Sequence, residues 1–442
     1  MRSRPTTVAA DCRGRIVDLP GLAAAGRSGH TVYPLDGAQL IPLPAGSDLY
    51  LLPKRQALGF DADGRIVAAD GRYTAVAAFL PPGYTTLSLA AFQSGAAAPR
   101  LPLYCYGAVA WYRGGFHVPA LRVDSDPKHD PSRWDRRTVG RQVKAWLKRY
   151  PANRLIAHHG LVCALQYACP NAINLFLRRW EAPVAVSGGC NAKCQGCISK
   201  QAAPDVKSPQ NRIGFVPTVE EIVELAVQHL EQAPRAMISF GQGCEGEPLL
   251  QGDLIEKAIR AIRRQTRRGT LHLNTNGSLP KTVVRLIDAG LDSIRVSLNS
   301  AREPLYTAYY NCQNYSFADV KQTLRIAGRG GLWTSLNYLT FPGVTDDEKE
   351  YAALAKLLAA VKPRMIQWRN LNIDPDWYMQ TVDRAVPARR RRIMGIPELM
   401  RRLNTEFPEI RFGYFNPPAK SEPRMAATQI FNYETRKIHE TN

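Results

Sequence analysis

The sequence predicts an α/β chain, a partial (β/α)6 TIM-like barrel with an N-terminal β-rich accessory domain. Three observations predict it. From residue 183 onward, short apolar strands alternate with helix-length amphipathic segments, the pattern of parallel βαβ units closing toward a barrel. Residues 1–125 instead hold short β-prone runs broken by Gly and Pro, such as SDLYLLP and YTAVAAFLPP. Between them, VDSDPKHDPSRWDRR is polar and punctuated by proline, as a linker would be.

Taken in order, AVAWYRGGFHV reads as a hairpin with two β-prone arms around Arg113-Gly114-Gly115. Residues 126–180 hold the linker and two helical stretches, the basic amphipathic RQVKAWLKRY and the apolar LVCALQYACPNAINLFLRRW. Residues 181–375 form the six barrel units. Their strands are VAVSGG, AMISFGQG, TLHLNTNG, SIRVSLNS, LWTSLNYLTF and MIQWRNLN. Their helices include TVEEIVELAVQHLEQ, LIEKAIRAIRRQ, segments beginning near Lys281 and Phe317, and DDEKEYAALAKLLAAV. Residues 376–442 read as a helical extension with one further possible strand, EIRFGYF. Thr218 with Glu221, and Thr345 with Glu348, have the spacing of capping boxes, and Asp346 and Asp347 read as first-turn charges. The run Arg389–Arg392 reads as a solvated face.

Composition bounds the function. The 442 residues are 45% hydrophobic and 22% charged, which suits soluble domains with sizeable cores. The amino terminus has no signal-peptide run, and no stretch approaches the roughly 18 apolar residues of a membrane span. The expectation is therefore a cytoplasmic protein with no membrane role, whose nine cysteines serve metal or cluster ligation more than disulfides. A net charge of +20 suits a polyanionic partner, RNA included, although the arginines are scattered along the chain instead of forming one basic arm.

Cys190, Cys194 and Cys197 crowd into VSGGCNAKCQGCISKQ at spacing C-x3-C-x2-C. At this cysteine content about 0.004 such triplets arise by chance. Three is an odd number for a disulfide framework. Zinc would want a fourth ligand and a second Cys/His pair at comparable spacing. Cys244 and Cys312 are solitary, and Cys163, Cys169, His158 and His159 could contribute in principle. The apolar helical setting of Cys163 and Cys169 favours buried core thiols. A cubane cluster on three thiolates fits more naturally, because it leaves one iron open to an exogenous molecule. A loop after the first strand places that iron at the carboxyl-end face, where barrel enzymes do chemistry.

Further motifs follow on later strands. GQGCEGEPLL (241–250) follows the second strand, and Asn274-Thr275-Asn276-Gly277 ends the third. Arg295, Ser297 and Asn299 alternate along the fourth, so they share one face. Together with the triplet, over roughly residues 181–375, this arrangement resembles the radical S-adenosylmethionine (radical SAM) superfamily. The resemblance implies that Cys190, Cys194 and Cys197 hold a [4Fe–4S] cluster and that S-adenosyl-L-methionine chelates its open iron. It implies reductive cleavage to a 5′-deoxyadenosyl radical, which abstracts hydrogen from a substrate that the sequence does not identify. By the same resemblance Glu247, Gly246, Asn276, Arg295, Ser297 and Asn299 contact the cofactor, and a flavodoxin- or ferredoxin-like protein is the one-electron donor. No catalytic residue is assigned beyond the cluster and cofactor.

Two departures stand out. Glu245 replaces the first glycine of the family's Gly-Gly-Glu-Pro element, which leaves it a carboxylate without a role. Gly196 stands where an aromatic residue often precedes the third cysteine, so adenine packing is expected from Ile198 or from the Pro342-Gly343 turn.

At the end of the sixth strand, Gln367, Arg369, Asn370 and Asn372 form a candidate substrate pocket, with Arg369 suited to a carboxylate or phosphate. Cys312, near the same mouth, reads as inert. The competing readings are a non-catalytic basic iron–sulfur or zinc protein associated with nucleic acid, or a radical enzyme that modifies RNA.

Overall fold

The apolar strands from residue 181 onward assemble into one parallel sheet in the computed structural model, which describes residues 4–386 and 391–419. Its strands are β1 (Glu181–Val184), β2 (Met237–Phe240), β3 (Thr270–Thr275), β4 (Ser293–Leu298), β5 (Trp333–Thr340), β6 (Met365–Asn370) and β7 (Arg411–Gly413), each paired with the next in sequence order. The sheet runs one strand further than the six units read from the sequence. β7 lies within EIRFGYF, the further strand that the sequence offered in the carboxyl-terminal stretch, and pairs in parallel with β6. The segment after it crosses the lumen. Asn416 donates to Glu181 Oε1 on β1 at 2.8 Å and accepts from Gln367 Nε2 on β6 at 2.9 Å.

Eight helices among the described residues cover this sheet: α1 (Val219–Gln232), α2 (Gly252–Gln265), α3 (Pro280–Ala289), α4 (Glu303–Tyr310), α5 (Phe317–Arg329), α6 (Glu348–Val361), α7 (Pro375–Ala385) and α8 (Ile396–Glu406). Their apolar faces, Ile222, Leu225, Ile255, Ile259, Val283 and Leu286 among them, join strand residues such as Ile238, Leu271 and Ile294 in one buried core. α1 starts on the expected capping box: Thr218 Oγ1 accepts from Glu221 N, and Glu221 Oε2 accepts from Thr218 N. α6 differs. Its cap is Asp347, which accepts from Lys349 N, while Thr345 Oγ1 turns back to accept from Phe341 N at 2.8 Å. Asp346 is buried and accepts from Gly343 N, so it serves the preceding turn and not the first turn of the helix. Arg389 and Arg390 lie outside the described residues.

The amino-terminal region is antiparallel: twelve strands between Thr6 and Val118 join one sheet, and Tyr84–Thr86 pairs with Ala120–Arg122 in a second, two-stranded one. Its core is built on small residues, Ala9, Ala57, Ala75 and Ala77, with Leu52 and Phe92. The hairpin expected around Arg113 forms between Ala110–Tyr112 and Gly115–Val118, and both turn residues take positive φ (49° and 81°). The second helical stretch of the linker region divides into a π-helix, His158–Gln166, and an α-helix, Pro170–Phe176.

Polar residues dock the amino-terminal region onto the rim of β6. Both ends of the Asn370 amide bind backbone, Oδ1 accepting from Thr86 N and Nδ2 donating to Tyr84 O. Arg27 pairs with Asp376 at 2.6 Å. Arg55 pairs with Asp374 at 3.0 Å, both side chains being at most 3% exposed. Asp374 also accepts from Leu101 N and caps α7. Removing one partner of such a buried pair leaves an uncompensated charge, at a cost of about 3–5 kcal/mol. Arg55→Met should therefore lower the unfolding free energy by about 3 kcal/mol, and adding Asp374→Asn should recover part of that loss because Asn still caps the helix. Chemical denaturation of both variants measures this; a single variant within about 0.5 kcal/mol of the parent would show that the pair does not hold the docking.

Candidate functional site

The three cysteines sit in the loop that leaves β1, and neighbours on both sides hold that loop. Lys193 N donates to Tyr310 O and Gln195 N to Tyr309 O, each at 2.9 Å, and Ala192 bridges Cys312 in a one-residue antiparallel ladder. At Gly196 a Cβ would lie 2.7 Å from Tyr309 Oη, so only glycine lets that ring pack there. The aromatic neighbour of the third cysteine therefore comes from α4 and not from the loop. The Pro342-Gly343 turn expected to help at this point is used elsewhere: Pro342 O accepts from Gly29 N of the amino-terminal sheet.

The three sulfurs sit in unequal surroundings. Burial pushes the Cys194 thiol up, and repulsion from Cys197 and Cys190 adds to it. Burial raises Cys190 as well. Burial would also raise Cys197, but hydrogen bonds from Ser199 and Arg212 outweigh it and hold that thiol below its ordinary value. Arg212 Nη2 and Ser199 Oγ each lie 3.6 Å from Cys197 Sγ.

The loop after β2 closes against this one. Glu245, without a role in the sequence, accepts from Val186 N and Ser187 N through Oε2 and from Gln242 N through Oε1, at 2.6–3.1 Å. Burial pushes its carboxyl up to about 8 despite these bonds. Gly246 N then donates to Ser187 O and Glu247 N to Gly189 O. A Cβ at Gly246 would stand 1.8 Å from Gly189 O, so the two loops touch only because this residue is glycine. Glu247 accepts from Leu249 N, Asn276 N and Thr275 Oγ1, and burial pushes it up to about 7. Three of its roughly four acceptor positions are filled, which leaves one for a further donor. Asn276 Nδ2 donates to Asn191 Oδ1 in the cysteine loop, at 2.8 Å.

Arg295, Ser297 and Asn299 do share one face. Arg295 Nη1 donates to Gln367 Oε1 at 3.1 Å, and Ser297 Oγ accepts from Asn337 Nδ2. Burial, reinforced by Arg369, pulls the Arg295 guanidinium down to about 9. Arg295 Nε, Ser335 Oγ, Asn337 Oδ1 and Asn299 Oδ1 are buried with no hydrogen-bond partner in the chain. Four such atoms along adjoining faces of β4 and β5 form a lining that a polar ligand would satisfy. Of the expected substrate residues, Gln367 joins this lining, while Arg369 donates to Tyr414 O from both Nε and Nη2. Asn370 is a correction. Alternation turns it to the opposite face of β6 from Gln367 and Arg369, where the amino-terminal sheet uses both its amide groups. Asn372, beyond the strand, is half-buried. Sequence reasoning singled out Glu245 without giving it a role; it missed Tyr309 and Arg212, and it missed that His158, His159, Cys163 and Cys244 converge.

Residues 184–355 match the model of the Radical SAM superfamily. The chain is 29% identical over 168 residues to the GTP 3′,8-cyclase of Staphylococcus aureus, covering 37% of this chain and 47% of that one. It is 26% identical over 226 residues to the GTP 3′,8-cyclase of Helicobacter pylori, covering 48% of this chain and 64% of that one. The chain thus spans between about half and two thirds of the length of these curated relatives. Among solved structures, a radical SAM methyltransferase from Sphaerobacter thermophilus aligns with a TM-score of 0.37 at 18% identity, covering 52% of this chain and 63% of that one. Domains of the matched family bind a [4Fe–4S] cluster and S-adenosylmethionine, and the donor set here suits both: three thiols on one loop, one acceptor position left on Glu247, and an unsatisfied polar lining.

Positive hydrogen-bond donors at a cluster thiolate favour the reduced form. Arg212→Met should therefore shift the cluster midpoint negative by on the order of 50 mV, the one-electron equivalent of about 1 kcal/mol for a charged hydrogen bond. An EPR-monitored redox titration measures it, and an unchanged midpoint would remove Arg212 from the cluster's surroundings.

Proposed function

We propose that this chain, a radical SAM enzyme by its domain over residues 184–355, acts on a substrate bound in the barrel lumen beside β4, β5 and β6. The unsatisfied polar atoms on β4 and β5 carry the reading, because a structural filling would have paired them. When bound, the cluster and S-adenosylmethionine supply a 5′-deoxyadenosyl radical that takes a hydrogen atom from the substrate.

The remaining work falls to the chain's own residues. Cys190, Cys194 and Cys197 present the thiolates for the cluster, with Arg212 and Ser199 directed at Cys197. The free acceptor position on Glu247 orients an ammonium group through a charge-assisted hydrogen bond. The unpartnered Nε of Arg295 offers a donor to a carboxylate or to another anionic group, and the neighbouring Arg369 adds to the positive potential there. Asn299 and Ser297 line the same face for hydroxyl groups. Asn416 and Glu181, bonded to each other across the lumen, exclude water from that part of the cavity.

Such chemistry takes its electron from outside. We place the donor's approach on the exposed side of the cysteine loop, where Lys193, Gln195, Trp377 and Arg384 line a hollow of about 490 Å3. Lys193 and Arg384 are exposed cations, so an acidic one-electron carrier of flavodoxin or ferredoxin type suits this face. A cytoplasmic setting agrees with this reading. No helix among the described residues is long and apolar enough to cross a membrane.

Anaerobic reconstitution followed by dithionite and S-adenosylmethionine should yield 5′-deoxyadenosine, and Cys194→Ala should lose both product and cluster absorbance. Arg295→Gln should keep the cluster yet lower the rate by at least about tenfold, with a weaker apparent affinity for S-adenosylmethionine or substrate. A reconstituted, reducible cluster that forms no 5′-deoxyadenosine would sink the proposal. Deuterium transfer into 5′-deoxyadenosine from a panel of labelled candidates then identifies the substrate.

A further inference from the structure

We propose that His158, His159, Cys163 and Cys244 form a second metal site, a closed tetrahedral zinc site distinct from the three-cysteine loop, which anchors the loop bearing Glu245–Glu247 to the helix before the barrel. One ligand atom from each of the four residues lies within 4.8 Å of all the others. The edge of a zinc tetrahedron with nitrogen and sulfur ligands is about 3.6 Å. The four therefore stand slightly open around one ion and too close together for a multinuclear cluster.

The local backbone gives a reason for this gathering. His158, His159 and Cys163 lie in a π-helix of nine residues, His158–Gln166. In an α-helix, residues five apart point about 140° away from each other, so His158 and Cys163 would diverge. Winding with i→i+5 bonds brings them one turn apart on one side, together with His159. Such windings are rare, mostly a single turn, and frequent at functional sites. Cys244 arrives from the loop after β2, and its carbonyl accepts from Ile213 N at 2.8 Å.

Two of the ring nitrogens are also unsatisfied as they stand, while Cys244 is within hydrogen-bond reach of Cys163 and His158. His158 Nε2 and His159 Nδ1 are buried nitrogens without a hydrogen-bond partner. Cys163 is 1% exposed, Cys244 4% and His159 0%. The other nitrogen of His159 faces Ala185 N at 3.3 Å. Metal at Nδ1 places the ring proton on Nε2, so this long contact gives way or the ring turns over. His158, Cys163 and Cys244 carry no such conflict.

The chemistry points to zinc. Two thiolates and two neutral imidazoles neutralise a divalent cation, so the filled site buries no net charge. Binding releases the two thiol protons. With four protein ligands and no open position, the ion is structural and not catalytic. Its effect falls on Glu245, adjacent in sequence, and so on the clamp between the loops after β1 and β2.

The test uses the full-length chain carrying its iron–sulfur cluster, purified without oxygen from zinc-supplemented cells. Elemental analysis should find about one zinc per chain in addition to the iron. Cys163→Ser with Cys244→Ser should lower zinc at least about tenfold while the iron is retained. Should that variant fail to fold, the parent chain grown with cobalt(II) gives the second reading: strong visible ligand-field bands with thiolate charge transfer in the near ultraviolet. A zinc-free parent chain overturns the proposal, as does zinc fully retained in the double variant, a weak octahedral cobalt spectrum, or a mapped Cys163–Cys244 disulfide. None of these outcomes bears on 5′-deoxyadenosine formation, so this site and the radical reading stand or fall separately.

Discussion

Three backbone amides converge on the carboxylate of Glu245, and the geometry of the site follows from that convergence. Where β1 and β2 end, their last amides lose the partners that a continuing sheet would give them. One carboxylate takes up three of these at once, two from the strand that leads to the cysteines and one from its own loop. The bonds offset part of the desolvation that raises its pKa, and its two oxygens offer acceptor positions for all three amides. Once Glu245 is fixed, Gly246 and Glu247 have one place to go, against Ser187 O and Gly189 O. Glu247 then gathers the turn after β3, and Asn276 returns from that turn to Asn191 in the cysteine loop. The cysteine loop, the acidic loop and the β3 turn thus form one closed circuit of hydrogen bonds.

The lumen beneath this circuit is polar and carries an excess of positive charge. Burial would raise the pKa of Glu181, but attraction from Arg295 and Lys128 and a hydrogen bond from the Ser239 hydroxyl offset it. His272 itself is held neutral by burial, well below its ordinary value at about 4. A barrel filled only for stability would favour branched apolar side chains. Here the walls keep the guanidiniums of Arg295 and Arg369 near each other, with the buried acid Glu181 also facing Arg295.

Much of this was legible in the sequence, and what escaped it has a common cause. The alternation of strands and helices, the cysteine triplet and the shared face of Arg295, Ser297 and Asn299 are local patterns, fixed by spacing alone. Thr218 and Glu221 formed their box because each side chain reached the other's backbone amide. Thr345 did not, because Phe341 N claimed its hydroxyl and Asp347 stood nearer to the helix. Asn370 looked like part of a pocket because the sequence shows polarity but not which sheet will pack on the outer side of β6. Cys244 looked solitary because its partners lie some eighty residues earlier, on a helix whose π-winding no apolar periodicity announces. β7 falls inside EIRFGYF, the further strand that the sequence offered, although only three of those seven residues pair.

Gly196 and Tyr309 show how a local departure is matched by packing from another element. An aromatic side chain in the cysteine loop would be held by the loop alone. Tyr309 is instead held by α4, by edge-to-face packing on Tyr310 and Tyr378, and by the backbone ladder that ties residues 192–195 to 309–312. The ring and the loop therefore fix each other. A loop ordered in this way has less conformational freedom left to lose when a cluster and a cofactor bind, and that saving appears directly as affinity. The glycine is what admits the ring, so its lack of a side chain is a constraint set by a residue 113 positions away, and the two positions act as a unit.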